Sequence, residues 1–316
     1  MYQKVALRFF LSFTLSFFLG CSLLPSQARI TSVSGGMEIL LPFHVENDLR
    51  YVYLSLSDRE KPLRFLLDTG SRYSLLDERF FTQNHLKKKL NLVFTGGRDH
   101  SYRRTRTASL FDKSRILFRD LTFYSNSFSG NLASIDGILG VDALWNKTFI
   151  LEYPDQIRFL ETNSSTAEWK RQFSRIEPLL FFSGLPVLQA EIGTGEILNL
   201  ILDSGAEISL LEIRQTVPGK VWKSFWNRDA KVLNILGQIQ EIKTLTVDRL
   251  CLLRASDCVD NLEILSSGLP VEFAGTSTGV RIQGILGVNW LNEHRILLDM
   301  KRSLIGIVGK DGGEPK

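Results

Sequence analysis

Two short stretches of this chain carry an acid, a hydroxyl and a glycine in the same order: Asp68-Thr69-Gly70 and Asp203-Ser204-Gly205. Two carboxylates held a few ångströms apart cannot both ionise easily, so the pair keeps one proton over a wide pH range. The charged member can act as a base on a water molecule between them. The protonated member can donate to a carbonyl oxygen. That titration belongs to the pair and not to either acid. A single Asp-Thr/Ser-Gly is weak evidence, because Asp and Gly are common turn residues. A turn does not explain why each copy follows an apolar run, Phe65-Leu66-Leu67 in one case and Leu200-Ile201-Leu202 in the other.

The elements around the two acids repeat as well. Leu63 to Asp77 (LRFLLDTGSRYSLLD) and Leu198 to Glu212 (LNLILDSGAEISLLE) are identical at seven of fifteen positions. Downstream, GILGVDALWNKTFILE from Gly137 matches GILGVNWLNEHRILLD from Gly284. The acid-to-GILG distance is 69 residues in the first half and 81 in the second. Upstream, MEILLPF (Met37 to Phe43) pairs with IEPLLFF (Ile176 to Phe182), and alternating strands are expected at Tyr51 to Ser57 and Val187 to Ile192. Short apolar runs punctuated by Gly, Asn and Asp predict strands and turns. Helical period is confined to Asp142–Asn146, Asn289–Glu293 and Leu76–Leu86. The fold class expected is mostly β, in two similar lobes.

With these motifs in view, the chain resembles the aspartic peptidases of the pepsin and retropepsin group. The resemblance runs from Met37 to Val308 and implies two homologous β-barrel-like lobes around a central cleft. It implies Asp68 and Asp203 as the catalytic pair, with Thr69, Gly70, Ser71, Ser204 and Gly205 supporting it. The two hydroxyls would make cross-lobe hydrogen bonds that preorganise the pair. Ile138-Leu139-Gly140 and Ile285-Leu286-Gly287 match the segment that holds each loop in the family. DTGSxxSLL and DSGAxxSLL look closer to retropepsin-like bacterial proteins, whereas the two-lobe single chain is pepsin-like. Family members cover the cleft with a hairpin. Phe94 to Arg106 is the candidate here, with Gly96-Gly97 at its turn and Tyr102 as a candidate flap tyrosine, although the family's local flap pattern is absent. Val232 to Lys243, with Gly237, is its counterpart. Ser71 can donate to the neighbouring carboxylate and Ala206 cannot, which leads to the expectation of a weakly acidic to neutral working pH. The substrate implied is peptide or unfolded protein in extended form. No metal or organic cofactor is implied. The chain holds both halves, so a monomer suffices.

The N-terminus reads as an address. Lys4 and Arg8 precede the apolar run Phe9 to Leu19, too short to span a bilayer but suited to a signal-peptide core. Phe-Leu-Gly-Cys21 follows and resembles the lipobox of bacterial lipoproteins, with Phe18 where the pattern has Leu, Val or Ile. The alternative is a plain secretory signal cleaved near Ala28. The organisation expected is a signal over 1–20, lipidation at Cys21, and a tether over 21–36. A first lobe follows over 37–161, a linker over 162–175, a second lobe over 176–309 and a tail over 310–316. The localisation expected is the bacterial envelope, anchored to membrane through lipid.

Composition agrees with a globular exported protein. The 316 residues are 44% hydrophobic and 23% charged, which excludes a disordered tail, a collagen-like repeat and a polytopic membrane protein. A net charge of +4 gives no reason to expect nucleic acid as a partner. Three cysteines are too few for a disulfide scaffold, yet Cys251 and Cys258 can bridge a loop in an oxidising compartment. Gly275-Thr276-Ser277-Thr278-Gly279 fits the serine-hydrolase elbow by letter but lacks the strand-turn-helix context. His44, His85, His100 and His294 have no metal-ligand spacing. Lys87 to Lys89 with Arg98, Arg103, Arg104 and Arg106 make the first half locally basic, and read either as a solvated face or as a patch for acidic substrates or anionic surfaces. A rival to the peptidase reading is a non-catalytic surface binding lipoprotein that keeps this fold.

Overall fold

The computed structural model describes residues 38–46, 49–56, 61–81, 87–88, 92–96, 99–103, 105–113, 115–128, 133–160, 169, 172–173, 175–192, 197–211, 228–233, 239–253, 258–266 and 281–309, with backbone alone for 87–103 and 228–243. The chain forms two eight-stranded sheets, one per lobe, joined by a six-stranded sheet to which both lobes contribute. Alternation dictates much of this. The strand Ile39–Pro42 buries every second residue and exposes the others, as a strand with one face on a core must. The strands that lead to the two acids, Leu63–Leu67 and Ile197–Leu202, end in three consecutive buried apolar residues. Such runs mark strands covered on both faces.

Each lobe builds the same local arrangement. In the first, Gly137–Leu139 runs parallel to Leu63–Leu67 and antiparallel to Leu75–Asp77. In the second, Gly284–Leu286 runs parallel to Ile197–Leu202 and antiparallel to Ser209–Leu211. Each GIL strand therefore sits between the strand entering the Asp loop and the strand leaving it. Short helices follow at Val141–Leu144 and Val288–Leu291, where helical period was expected.

The shared sheet has the strand order Ile39–Pro42, Gln156–Leu160, Thr148–Glu152, His294–Asp299, Leu304–Gly309, Ile176–Pro178. Its centre is the antiparallel pairing of Thr148–Glu152 from one half with His294–Asp299 from the other. Trp169 and Phe173, from the segment read as a linker, are buried with Ile150 and Leu297 of this sheet. That segment is therefore packed structure, at least at those two rings.

One sequence expectation is corrected here. Leu76 to Phe81, the described part of the range read as helical, is not an α-helix: Leu75–Asp77 is a strand, and one 3-10 turn follows at Glu78–Phe80, capped by the Asp77 side chain. Leu75 and Leu76, adjacent in that strand, are both buried, each in a different core cluster on opposite faces. The proposed bridge Cys251–Cys258 is present and joins directly opposed residues of a hairpin. The signal, Cys21, the tether, the GTSTG segment and the tail lie outside the described residues. None of the described helices is long and apolar enough to cross a membrane.

Candidate active site

The two Asp loops meet where the lobes join. Each is fastened from behind by its GIL strand: Asp68 N donates to Leu139 O at 3.0 Å, and Asp203 N donates to Leu286 O at 2.9 Å. Past each glycine the chain is fastened again, with Val141 N on Ser71 O at 2.8 Å and Val288 N on Ala206 O at 2.7 Å. A buried serine adds a third tie. Gly140 N donates to Ser74 Oγ at 3.1 Å and Gly287 N to Ser209 Oγ at 3.0 Å. Ser74 in turn donates to Asp142 Oδ1 at 2.6 Å, while Ser209 donates to Asn289 Oδ1 at 2.8 Å.

The loops then lock to each other. Thr69 N donates to Ser204 Oγ at 3.0 Å, and Ser204 N donates to Thr69 Oγ1 at 3.0 Å. Each hydroxyl passes its own proton to the opposite strand, Thr69 Oγ1 to Leu202 O at 2.6 Å and Ser204 Oγ to Leu67 O at 2.8 Å. All four bonds are buried, where a polar group left without its partner costs about 1–3 kcal/mol. The hook is thus satisfied only when both lobes are in register.

The hook brings the carboxyls face to face. Gly70 N donates to Asp68 Oδ1 at 2.9 Å and Gly205 N to Asp203 Oδ1 at 2.8 Å. A Cβ on Gly205 would stand 2.6 Å from Asp68 Cγ, and a Cβ on Gly70 would stand closer still to Asp203 Cγ. Glycine is required at both places because the other lobe's carboxyl occupies the side-chain space. Asp68 is 0% exposed and Asp203 3% exposed. Burial, then the Asp68 charge, push the Asp203 carboxyl well above the usual carboxylate range, and a hydrogen bond with the Asp68 side chain adds to the rise. The backbone N–H groups of Gly205 and Ala206 oppose it. This is the pattern of two acids sharing one proton.

Ser71 departs from expectation. Its hydroxyl donates to Tyr73 O at 2.9 Å, which uses its one proton locally and leaves none for a carboxylate. The Ser71/Ala206 difference therefore supplies no reason for a shifted working pH. The flap expectation is reached in backbone only. Leu92–Gly96 pairs with Asp99–Arg103 as a hairpin that places Tyr102 opposite Val93, and Arg228–Leu233 pairs with Ile239–Leu252 with Leu233 opposite Ile239. Gly97 and Gly237 lie outside the described residues, as do the side chains of Tyr102 and most of the basic run.

Residues that the motifs did not point to lie behind the pair. Tyr153 is buried, stacks on Phe43 at 5.3 Å, and has its hydroxyl against Ser204 and in the field of both acids. Burial raises its pKa, while Arg50 and Ser204 lower it. Arg50, 3% exposed, lies over the Tyr153 ring at 5.2 Å and donates from Nη2 to Asn292 Oδ1 at 2.7 Å in the other lobe. Trp145 and Phe181 make a second cross-lobe contact at 5.3 Å, edge to face. Among the described residues no group of three His, Cys, Asp or Glu side chains is placed to hold a metal ion.

Comparison with solved structures agrees with this fold. The chain superposes on the crystal structure of an aspartic proteinase from Irpex lacteus with a TM-score of 0.53, covering 86% of this chain and 97% of that one. The fold is that of an aspartic proteinase. The identity between the two is 13%, so the likeness is one of architecture. No family model matches the chain, and no curated protein matches it by sequence.

Proposed function

We propose that the protein is an envelope-anchored aspartic endopeptidase in which Asp68 and Asp203 activate a water molecule. The observation that carries this reading is the hook between Thr69 and Ser204, which sets two buried carboxyls against each other across the lobe junction. One member of the pair, charged, takes a proton from the water. The other, protonated, donates to the carbonyl oxygen of the scissile bond as the tetrahedral intermediate forms. The proton returns to the leaving amine through the pair. Because both loops are tied at three points to their own lobe, little reorganisation accompanies the charge shift. The substrate is peptide in extended form, matched to a β-rich site. One chain supplies both acids, so the pair needs no second copy.

Anchoring through Cys21 is part of the same proposal and rests on Phe-Leu-Gly-Cys after a short apolar core. The Cys251–Cys258 bridge fits an oxidising compartment. Cys21→Ala should abolish incorporation of labelled fatty acid and release the protein from the membrane fraction; unchanged incorporation would refute the anchor.

The activity is tested with mixed unfolded proteins across pH, comparing wild type with Asp68→Asn and Asp203→Asn. Cleavage that disappears in both variants supports the pair. Cleavage that survives either change refutes it, and peptide binding without cleavage at any pH would make the protein a binder on this fold.

A further inference from the structure

Asp142 and Asn289 occupy the same place in the two lobes, two residues past the glycine that closes each GIL strand. Their first oxygens do the same work. Asp142 Oδ1 accepts from Ser74 Oγ at 2.6 Å and from Ala143 N at 2.9 Å. Asn289 Oδ1 accepts from Ser209 Oγ and from Ser209 N, each at 2.8 Å. The second atom of each side chain differs. Asn289 Nδ2 donates to Glu263 O at 2.6 Å, which ties the helix Val288–Leu291 to the strand Cys258–Ser266. In the first lobe the residue at the same register is Thr122, because Leu75 stands opposite Tyr124 as Leu210 stands opposite Leu265.

A backbone carbonyl only accepts. The amide of Asn289 always has a proton to offer it, whereas a carboxyl has one only when protonated. What hangs on this tie is the loop that carries Asp68. Ser74, which bonds Asp142, also accepts from Gly140 N at 3.1 Å. The residues on either side of Gly140 hold the loop directly, Val141 N on Ser71 O and Leu139 O on Asp68 N.

We propose that Asp142 is a positioning residue for the Asp68 loop: protonated, it closes onto the strand Arg115–Asn126 the tie that Asn289 closes permanently in the second lobe, and ionised, it lets that tie go. The inference rests on reading Asp68 and Asp203 as the working pair, and it places the alkaline edge of their working range in the first lobe. Burial pushes the Asp142 carboxyl up to about 6, while the Ser74 bond and nearby N–H groups oppose the rise. The proton is therefore held in weakly acidic solution and lost towards neutrality. Among the described residues, the titratable and charged groups on this side are Arg72 and Tyr73 from the acid loop and Tyr124 from Arg115–Asn126. Burial raises both phenols above their ordinary range. Arg72, 5.3 Å over the Tyr73 ring, keeps its charge throughout. None of the three changes charge where Asp142 does.

The test reads backbone amides and does not need turnover. Protection of the Gly140 and Val141 amides against hydrogen exchange is followed by NMR in the full chain as pH is raised, with Gly287 and Val288 as the internal standard. In wild type the protection at Gly140 and Val141, corrected for the intrinsic exchange rate, should fall by about tenfold or more relative to the standard as pH passes through about 6. Asp142→Asn should abolish the fall. Asn289→Asp should create one at Gly287 and Val288, and it carries the test alone if Asp142→Asn does not fold. In cleavage assays, Asp142→Asn should extend the alkaline limb of the pH–rate profile to higher pH. Wild-type protection that keeps pace with the standard overturns the proposal, as does a fall that persists in Asp142→Asn or fails to appear in a folded Asn289→Asp protein. An alkaline limb that stays in place in Asp142→Asn overturns the positioning role. Exchange that behaves as described in a protein that cleaves nothing supports the tie and counts against the proposed activity alone.

Discussion

The two lobes hold their acids with nearly the same bonds and differ in what those bonds end on. In the first lobe the serine behind the loop, Ser74, ends on Asp142; in the second, Ser209 ends on Asn289. The carboxylate and the amide are close in shape, and both accept the serine proton. Only the carboxylate can ionise. Burial pushes Asp142 up to about 6, with the Ser74 bond and nearby N–H groups opposing, whereas the amide is indifferent to pH. The comparison teaches that geometry is shared between the lobes and charge is not.

The comparison can be broken most severely at the two glycines. Gly70→Ala and Gly205→Ala each drive a methyl into the other lobe's carboxyl. Each should lower peptide cleavage by about 10²-fold or more, the scale of an ångström of misplacement at a reacting centre. Retained activity in either would mean the carboxyls can move apart without loss. The hook comes next. Thr69→Ala and Ser204→Ala each orphan buried N–H and carbonyl groups and should destabilise by about 2–3 kcal/mol, read by denaturant unfolding. The two losses should agree to within about 1 kcal/mol, since each hydroxyl accepts one bond and donates one. A strongly one-sided result would show that the lobes do not share the load.

A smaller effect is expected from the bridge that only the second lobe has among the described residues. Replacing Cys251 and Cys258 together by serine releases a short loop and should cost about 2 kcal/mol. It should lower the melting temperature without changing cleavage below the new transition. The smallest effect sharpens the Asp142/Asn289 contrast. A carboxyl whose folded pKa lies above its unfolded value stabilises the fold while protonated, and that stability is lost as pH rises. For Asp142 the loss runs from the ordinary carboxylate range up through about 6. Asp142→Asn should therefore match wild type near pH 4 and be more stable than wild type at pH 7. Equal stability at both pH values would mean that Asp142 is not strained by ionising.

How much of this was legible in the sequence depended on how local each signal was. The Asp loops, the GIL strands and the short helices after them are built from neighbouring residues and occur twice, so their spacing exposed them. The Cys251–Cys258 bridge was legible because the two residues are only seven positions apart in a chain read as exported; that they face each other across one hairpin came from the fold. The Leu76–Leu86 expectation misled because a short apolar stretch fits a helix as readily as a strand. Ser71 misled because a hydroxyl near a carboxylate has other acceptors, and here it donates to the Tyr73 carbonyl. The shared sheet, the burial of Trp169 and Phe173, and the Arg50–Asn292 contact were not legible. They join residues from distant parts of the chain, and no period or motif encodes such pairings. Arg50 reads as a surface cation until the fold buries it.

The central claim is that Asp68 and Asp203 act as one unit. The most direct measurement is the rate of cleavage of an unfolded protein by wild type, Asp68→Asn, Asp203→Asn and the double variant, with folding of each checked by its unfolding transition. The account predicts that each single change lowers the rate by about 10²–10⁴-fold and that the double change costs little more than either alone. Single losses that add in the double variant, or a folded single variant that cleaves at the wild-type rate, would contradict it.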